Sequence, residues 1–337
     1  MIWYILGTRP EFIKAFPVIQ QLHVEQRDVT VVSTGQHTSL ADGMPLTADV
    51  NLGVPGCDDP YVYVTHAAQK LQEWAQNQPK PDWIVVQGDT GSALAGCRLA
   101  ESLGIPLCHL EAGLRSHDPT DPWPEEGFRV EIDRRAQLKC CPTALNLDNL
   151  TRDGLQNDAF VTGNPITDAL RLMGAVKTTP THVLITLHRR ESFGADMQAC
   201  ANRIAQLAET HPDTPFLWPF HPNPHVLDTI RALKAPGNLL FTSPLAYPEF
   251  LKALCGAHLV ITDSGGVVEE ATTLGIPCLI ARNKTERPEA CATHSILVGR
   301  DGARLPEMFR YAQFFHPAPS TIFGDGHTAP RITRLLT

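Results

Sequence analysis

Short apolar runs recur along the chain, and most are followed by a stretch whose apolar positions return at helical spacing. The runs at 2–6, 29–33, 83–87, 106–110, 160–162, 182–187, 214–218, 239–241, 258–261 and 277–280 predict β-strands. Runs that are apolar throughout, rather than alternating, suit strands buried on both faces. Helical patterns follow at 11–24, 90–103, 195–210 and 222–233. Alternating strand and helix predicts an α/β protein with parallel sheets covered on both faces, and such sheets bind ligands at the carboxyl ends of their strands. The alternation breaks near 165–181, where MGAVKTTPT is polar, Pro-containing and patternless, as a linker is. The expected division is 1–168, 169–325 and a terminal helix at 326–337. Residues 38–64, with Gly, Pro and Asp throughout, predict a long loop.

Composition narrows the class. The chain has 337 residues, 43% of them hydrophobic and 19% charged, which suits two globular domains. A net charge of −8 argues against a nucleic-acid or anionic-membrane surface as the main partner. No run approaches the roughly 18 apolar residues of a membrane span. The opening MIWYILGTRPEF lacks the basic and long apolar regions of a signal peptide and predicts a first strand in a cytoplasmic protein. The nine cysteines are scattered without a CxxC pair, so they predict buried thiols rather than a zinc site or a disulfide framework.

The candidate chemistry falls on loops after predicted strands. The run 258–261 leads into Thr262-Asp263-Ser264-Gly265-Gly266 and then a helix containing Glu269 and Glu270. A strand, a Gly-rich turn and a helix N-terminus make an anion site, because the first N–H groups of a helix lack internal partners. Ser264 can cap the helix or donate to a phosphate, and either glutamate can take ribose hydroxyls. After the first strand, Arg9 and Lys14 can face a diphosphate, with a surface salt bridge to Glu11 as the alternative. Ser33-Thr34-Gly35-Gln36-His37 ends the second strand. Asp89, Glu111 and Glu126 come from three successive segments near one sheet edge, and clustered carboxylates that shift one another's pKa suit general acid–base work. Glu126, Arg129 and Asp133 are spaced to share a helix face. In the second half His188, His221 with Asn223, and Arg287 follow predicted strands, and Arg287 sits in a loop that can close on a ligand.

Taken together, GTRPEFIK, STGQH, QGDT, HLEAGLRS, PWPEEGFR, VTGNP, TLHRRESFG, FHPNP, TDSGGVVEE, LGIPCLIARNKTERPE and FGDG, in this order from residue 7 to residue 326, resemble the non-hydrolysing UDP-N-acetylglucosamine 2-epimerases. The resemblance implies two Rossmann-like doubly wound domains of the glycosyltransferase-B type with a cleft between them, the first carrying the acids, the second binding UDP, and the terminal helix packing back on the first. It implies a UDP-sugar substrate, no cofactor, no metal and a homodimer. Asp89, Glu111, Glu126 and His188 match the family's catalytic group. Arg9, Lys14, Ser264, Gly265 and Glu270 match nucleotide or sugar contacts, with Glu270 preferred over Glu269 for the ribose. Gln36, His37, Arg129, His221, Asn223, Gly266 and Arg287 complete the expected substrate-binding set. The implied reaction interconverts UDP-N-acetylglucosamine and UDP-N-acetylmannosamine through a bound 2-acetamidoglucal. Phe128, Val268 and residues 290–294 depart from the family pattern, and the chain is short around 38–64, near a second, effector UDP-N-acetylglucosamine site of bacterial members. The alternatives are the hydrolysing 2-epimerase, which releases N-acetylmannosamine and UDP, a glycosyltransferase on the same fold, and a UDP-sugar-binding regulator without catalysis.

Overall fold

The computed structural model describes residues 1–35, 43–291, 293–312 and 314–337. The chain divides into two compact units, Met1–Leu172 with Phe323–Thr337, and Met173–Ile322. The first holds strands β1 (Ile2–Leu6), β2 (Val29–Ser33), β3 (Val50–Asn51), β4 (Trp83–Gln87), β5 (Leu107–Leu110), β6 (Leu138–Cys141) and β7 (Ala159–Val161). Its helices are α1 (Arg9–Val24), α2 (Pro60–Ala75), α3 (Gly91–Leu103), α4 (Glu125–Arg135), α5 (Ala144–Arg152) and α6 (Pro165–Leu172). The second holds β8 (His182–Thr186), β9 (Phe216–Pro219), β10 (Leu239–Thr242), β11 (Ala257–Thr262), β12 (Cys278–Ile280) and β13 (Ser295–Leu297). With them run α7 (Ala195–Thr210), α8 (Pro224–Ala232), α9 (Tyr247–Cys255), α10 (Gly265–Leu274) and α11 (Leu305–Ala312); α12 (Thr328–Leu335) returns to the first unit.

Each unit is built on one parallel sheet. The strand order is β3-β2-β1-β4-β5-β6-β7 in the first and β10-β9-β8-β11-β12-β13 in the second. Counted within each unit this is the doubly wound order 3-2-1-4-5-6, with the first unit adding one strand. The central strands carry the core. Every residue of β1 is buried, as are Ile84, Val85 and Val86 of β4, and Val260 and Ile261 of β11. Strand order reverses between β1 and β4, and between β8 and β11, so the loops leaving those four strands open onto the two crevices where such sheets bind ligands.

The expected loop at 38–64 is in part ordered structure: β3 pairs with β2 through Val32–Val50 and Ser33–Asn51, and α2 starts at Pro60. Asp59 caps that helix by accepting from the N–H groups of Tyr61 and Val62, a start signal hidden among other acidic and Gly residues. Strands β6 and β13 also went unread. Lys139 interrupts β6, and β13 is a short edge strand. Among the described residues no helix is long and apolar enough to cross a membrane.

The terminal helix α12 is held by a side chain distant in sequence. Asp168, on α6 and buried, accepts at 2.9 Å from the backbone N–H of Thr328 and at 3.0 Å from that of Ala329. These are orphan donors of the first turn, and Asp168 satisfies them from another helix. Replacing Asp168 with Ala strands both N–H groups, and about 1–3 kcal/mol of stability should go with them. Denaturant titration should show the lower midpoint, and limited proteolysis should release the C-terminal segment first.

Candidate active site

In the first unit the acids gather at the carboxyl ends of β4 and β5, each tied to a cation or donor from another element. Glu111 follows β5 in a left-handed conformation (φ 67°) that aims its buried side chain back over the sheet edge. Its Oε1 accepts from Lys14 Nζ on α1 and, at 2.6 Å, from Asn164 Nδ2 ahead of α6. Gly88, at φ 69°, lets this happen: a Cβ there would stand 2.9 Å from Glu111 Oε2. Asp89 follows Gly88. Arg129 on α4 donates to Asp89 through Nε at 3.0 Å and through Nη2, and to Glu126 through Nη1 at 2.6 Å. Glu126 further accepts from the N–H groups of Ser116 and His117, so it also shapes the loop after β5.

Asp133 does not join this ladder, although it lies on the same helix. It faces His109 of β5, whose Nδ1 is 2.7 Å from Asp133 Oδ1 and whose Nε2 is 2.8 Å from the Gly88 carbonyl. Both ring nitrogens face acceptors, an arrangement that an imidazolium satisfies with two N–H donors. Arg115 and the Gly113 N–H also donate to Asp133 Oδ2. Burial works against ionisation of Asp133, but the charges and hydrogen bonds of His109 and Arg115 win and hold its carboxyl below the usual carboxylate range. This buried relay fixes Gly88 and Gly113, the backbone on either side of the two acids. Phe128, the departure from the family pattern, turns to the core, and its ring meets Tyr61 edge-on at 5.2 Å.

The residues expected on a diphosphate are already engaged. Lys14 is spent on Glu111, and both side chains are almost completely buried. Glu11 is no surface partner for Arg9, which opens α1; it is buried, accepting from the N–H groups of Gly7 (3.0 Å) and Thr8 (2.7 Å) and from the Thr90 hydroxyl at 2.7 Å. Gln36 and His37 lie outside the described residues.

In the second unit the turn after β11 keeps its helix start open. Ser264 is the N-cap residue of α10, but its side chain makes no capping hydrogen bond. A Cβ at Gly266 would meet nothing within 4 Å, whereas one at Gly265 would collide with the Arg287 guanidinium at 2.3 Å. Arg287 is engaged within its own unit. It is buried against Gly265, donating to Glu269 and to Glu286, and Glu286 in turn accepts from Arg282 at 2.9 Å. That engagement separates the two helix glutamates: Glu269 holds Arg287, while Glu270 accepts from the Tyr247 hydroxyl at 2.8 Å. His188, at the end of β8, is 42% exposed, and its ring stacks on that of His221 at 5.9 Å. Asn223 accepts from the His225 N–H and so caps α8. Glu11, Asn164, Asp133 and Asp263, whose Oδ2 accepts from the N–H groups of His188 and Arg189, were given no site role from sequence. Each stood in or beside a recognised motif, and only its burial and its distant partner mark it out.

The two sheets of one strand order define a two-domain α/β protein of the Rossmann-like, glycosyltransferase-B type, with polar side chains at the crevice ends of both. The sequence profile of the UDP-N-acetylglucosamine 2-epimerase family matches residues 20–337. A UDP-N-acetylglucosamine 2-epimerase of Yersinia pestis is 33% identical over 364 residues, covering 98% of this chain and 97% of the relative. Among solved structures, the Neisseria meningitidis UDP-GlcNAc 2-epimerase bound to UDP-GlcNAc is similar with a TM-score of 0.90 at 30% identity, covering 99% of both chains. The Methanocaldococcus jannaschii UDP-GlcNAc 2-epimerase in complex with UDP-GlcNAc and UDP gives a TM-score of 0.90 at 31% identity, again over 99% of each. The chain belongs to the UDP-N-acetylglucosamine 2-epimerase family.

Glu11 gives the first unit a pH signature. Burial raises its carboxyl to about 7, against the hydrogen bonds from Thr90, Thr8 and Gly7 that pull it down. Folded Glu11 keeps its proton up to about pH 7, whereas the unfolded chain releases it near 4.5. The folded state thus binds more protons between those values, so stability falls as pH rises through that window and levels off above it. Glu11→Gln cannot ionise and escapes the fall; between about pH 4.5 and about pH 8 its unfolding free energy should gain roughly 3 kcal/mol on that of the unaltered protein. Urea titrations across the window measure this, and parallel curves would contradict the assignment.

Proposed function

We propose that this chain is the non-hydrolysing type of 2-epimerase, interconverting UDP-N-acetylglucosamine and UDP-N-acetylmannosamine. The observation that carries the proposal is a set of three acids, two after adjoining strands and one on α4, each held by donors: Glu111 by Lys14 and Asn164, Asp89 and Glu126 by the shared Arg129. Removing a weakly acidic proton from carbon 2 needs a carboxylate held in a fixed place, and the donors around each of these acids hold it there. A simple transfer of the sugar to an acceptor has no use for so many.

In the proposed reaction a carboxylate of this group takes the carbon 2 proton. The electron pair left on carbon 2 forms the double bond to carbon 1, and the bond from carbon 1 to the phosphate oxygen breaks with its electrons on UDP. UDP then adds back to carbon 1 while carbon 2 receives a proton on its other face. Atoms and charge balance with nothing consumed. The second unit holds the leaving group: the open N–H groups of α10 and the Ser264 hydroxyl take phosphate oxygens, Gly266 leaves them room, and Glu270 takes the ribose hydroxyls. Arg9 and Arg129 of the first unit, and His188, His221 and Arg287 of the second, are the further residues proposed to act on the substrate, each from its own unit. Lys14 acts here through Glu111 rather than directly on phosphate. The UDP-sugars bound by the Neisseria and Methanocaldococcus relatives support this choice of substrate.

Incubation with UDP-N-acetylglucosamine in heavy water, followed by NMR, tests the proposal. Deuterium should appear at carbon 2 while UDP-N-acetylmannosamine accumulates. Free N-acetylmannosamine with UDP would select the hydrolysing reaction instead, and unchanged substrate would remove both. Asp89→Asn should lose turnover by roughly 10²-fold or more while UDP still binds.

A further inference from the structure

Asp263, between β11 and Ser264, is 1% exposed and has no role in the reaction as described so far. Its backbone is fixed, because its N–H donates to the Thr186 carbonyl at 3.1 Å across the β8–β11 crevice. Its Oδ2 accepts two successive backbone donors, the N–H of His188 at 2.8 Å and that of Arg189 at 2.9 Å. Its Oδ1 is buried and has no hydrogen-bond partner. A buried carboxylate oxygen left unmatched is costly, and few such atoms persist without a task. The imidazole of His188 stands beside it, with Nδ1 3.5 Å from that oxygen. The imidazole is 42% exposed, so a small rotation is enough to bring Nδ1 to hydrogen-bonding distance. His221, stacked at 5.9 Å with its plane 23° away, limits the ring's other movements.

We infer that Asp263 is a positioning residue for His188: its Oδ1 takes the Nδ1 proton, which fixes the ring's tautomer and leaves Nε2 as the nitrogen that meets the substrate. Two parts of one carboxylate then do two jobs. Oδ2 sets the loop that carries His188, and Oδ1 sets the ring. A carboxylate behind an imidazole also stabilises the charged ring whenever Nε2 gains a proton. The inference rests on the proposal that His188 works on the substrate, and the experiment separates the two.

Asp263→Asn keeps a side-chain oxygen for the two backbone N–H groups but offers His188 an N–H donor where it had an acceptor, which drives the ring to its other tautomer. With UDP-N-acetylglucosamine as substrate, kcat should drop by roughly 10–10³-fold while KM and the affinity for UDP stay within about threefold. In a His188→Ala background the same change should cost nothing further, because the residue it acts through is gone. An equal loss in both backgrounds would mean that Asp263 only holds the loop, and would overturn the inference. So would near-normal turnover of Asp263→Asn beside an inactive His188→Ala. Imidazole ¹⁵N NMR of the unaltered protein with UDP bound reads the pairing without any variant. The Nδ1–H form, or the doubly protonated ring, is expected for His188, and an Nε2–H tautomer would overturn the inference. If His188→Ala retains full activity while the NMR shows the pairing, the proposed role of His188 falls and the contact stands as structural, which also overturns the positioning role.

Discussion

Carboxylates at the ends of buried parallel strands must find partners, and the rest of this molecule is arranged around that need. An ionised carboxylate taken out of water costs several kcal/mol unless a cation or several donors compensate it. Here the compensation arrives from other elements. Lys14 crosses from α1 to Glu111, Arg129 from α4 to Asp89, and Arg115 with His109 closes on Asp133. Each pair locks two segments distant in sequence, so the constellation is rigid before any ligand arrives. The same arithmetic fixes the place of Lys14: its ammonium is buried against Glu111 and stays beside it.

The second unit inverts the relationship. There the cation is the group being placed and the acids do the placing. Glu269 and Glu286 hold the Arg287 guanidinium against Gly265, and Arg282 backs Glu286. A Cβ at residue 265 would displace that guanidinium, so the first glycine of the Ser-Gly-Gly turn serves the protein's own arginine, while the second faces open space. One motif thus contains a packing glycine and a clearance glycine, a distinction invisible in its letters.

That contrast marks what the sequence carries and what it does not. The central strands were legible to within a residue or two, because strands covered on both faces read as unbroken apolar runs. The loops that follow them were legible for the same reason, and with them Asp89, Glu111, His188 and Ser264. β6 was hidden by Lys139, whose amine reaches the Asn157 carbonyl while its stem lies in the sheet. The pairings were illegible. Asn164 lies 53 residues from Glu111 in sequence, and Asp263 lies 75 from His188. Local spacing placed Asp133 beside Glu126 and Arg129, but a histidine 24 residues away claims it. Helical periodicity says which residues share a face, not which neighbour that face meets.

A shared device bears on the place of the proposed anion site. In many doubly wound nucleotide-binding units the phosphate rests on the loop after the first strand. Here that loop is closed in both units by the protein's own carboxylate. Glu11 takes the N–H groups of Gly7 and Thr8 after β1, and Asp263 takes those of His188 and Arg189 after β8. Two successive backbone donors already satisfied by a buried acid have nothing left for a phosphate. Among the described residues, the first N–H groups of α10 receive no capping hydrogen bond from the Ser264 side chain. The proposed anion site thus lies one crossover along the sheet, at the helix that follows β11. The first-strand loops are left to do what a rigid, charge-bearing turn does well: in the first unit to anchor α1 and its Lys14, in the second to present His188.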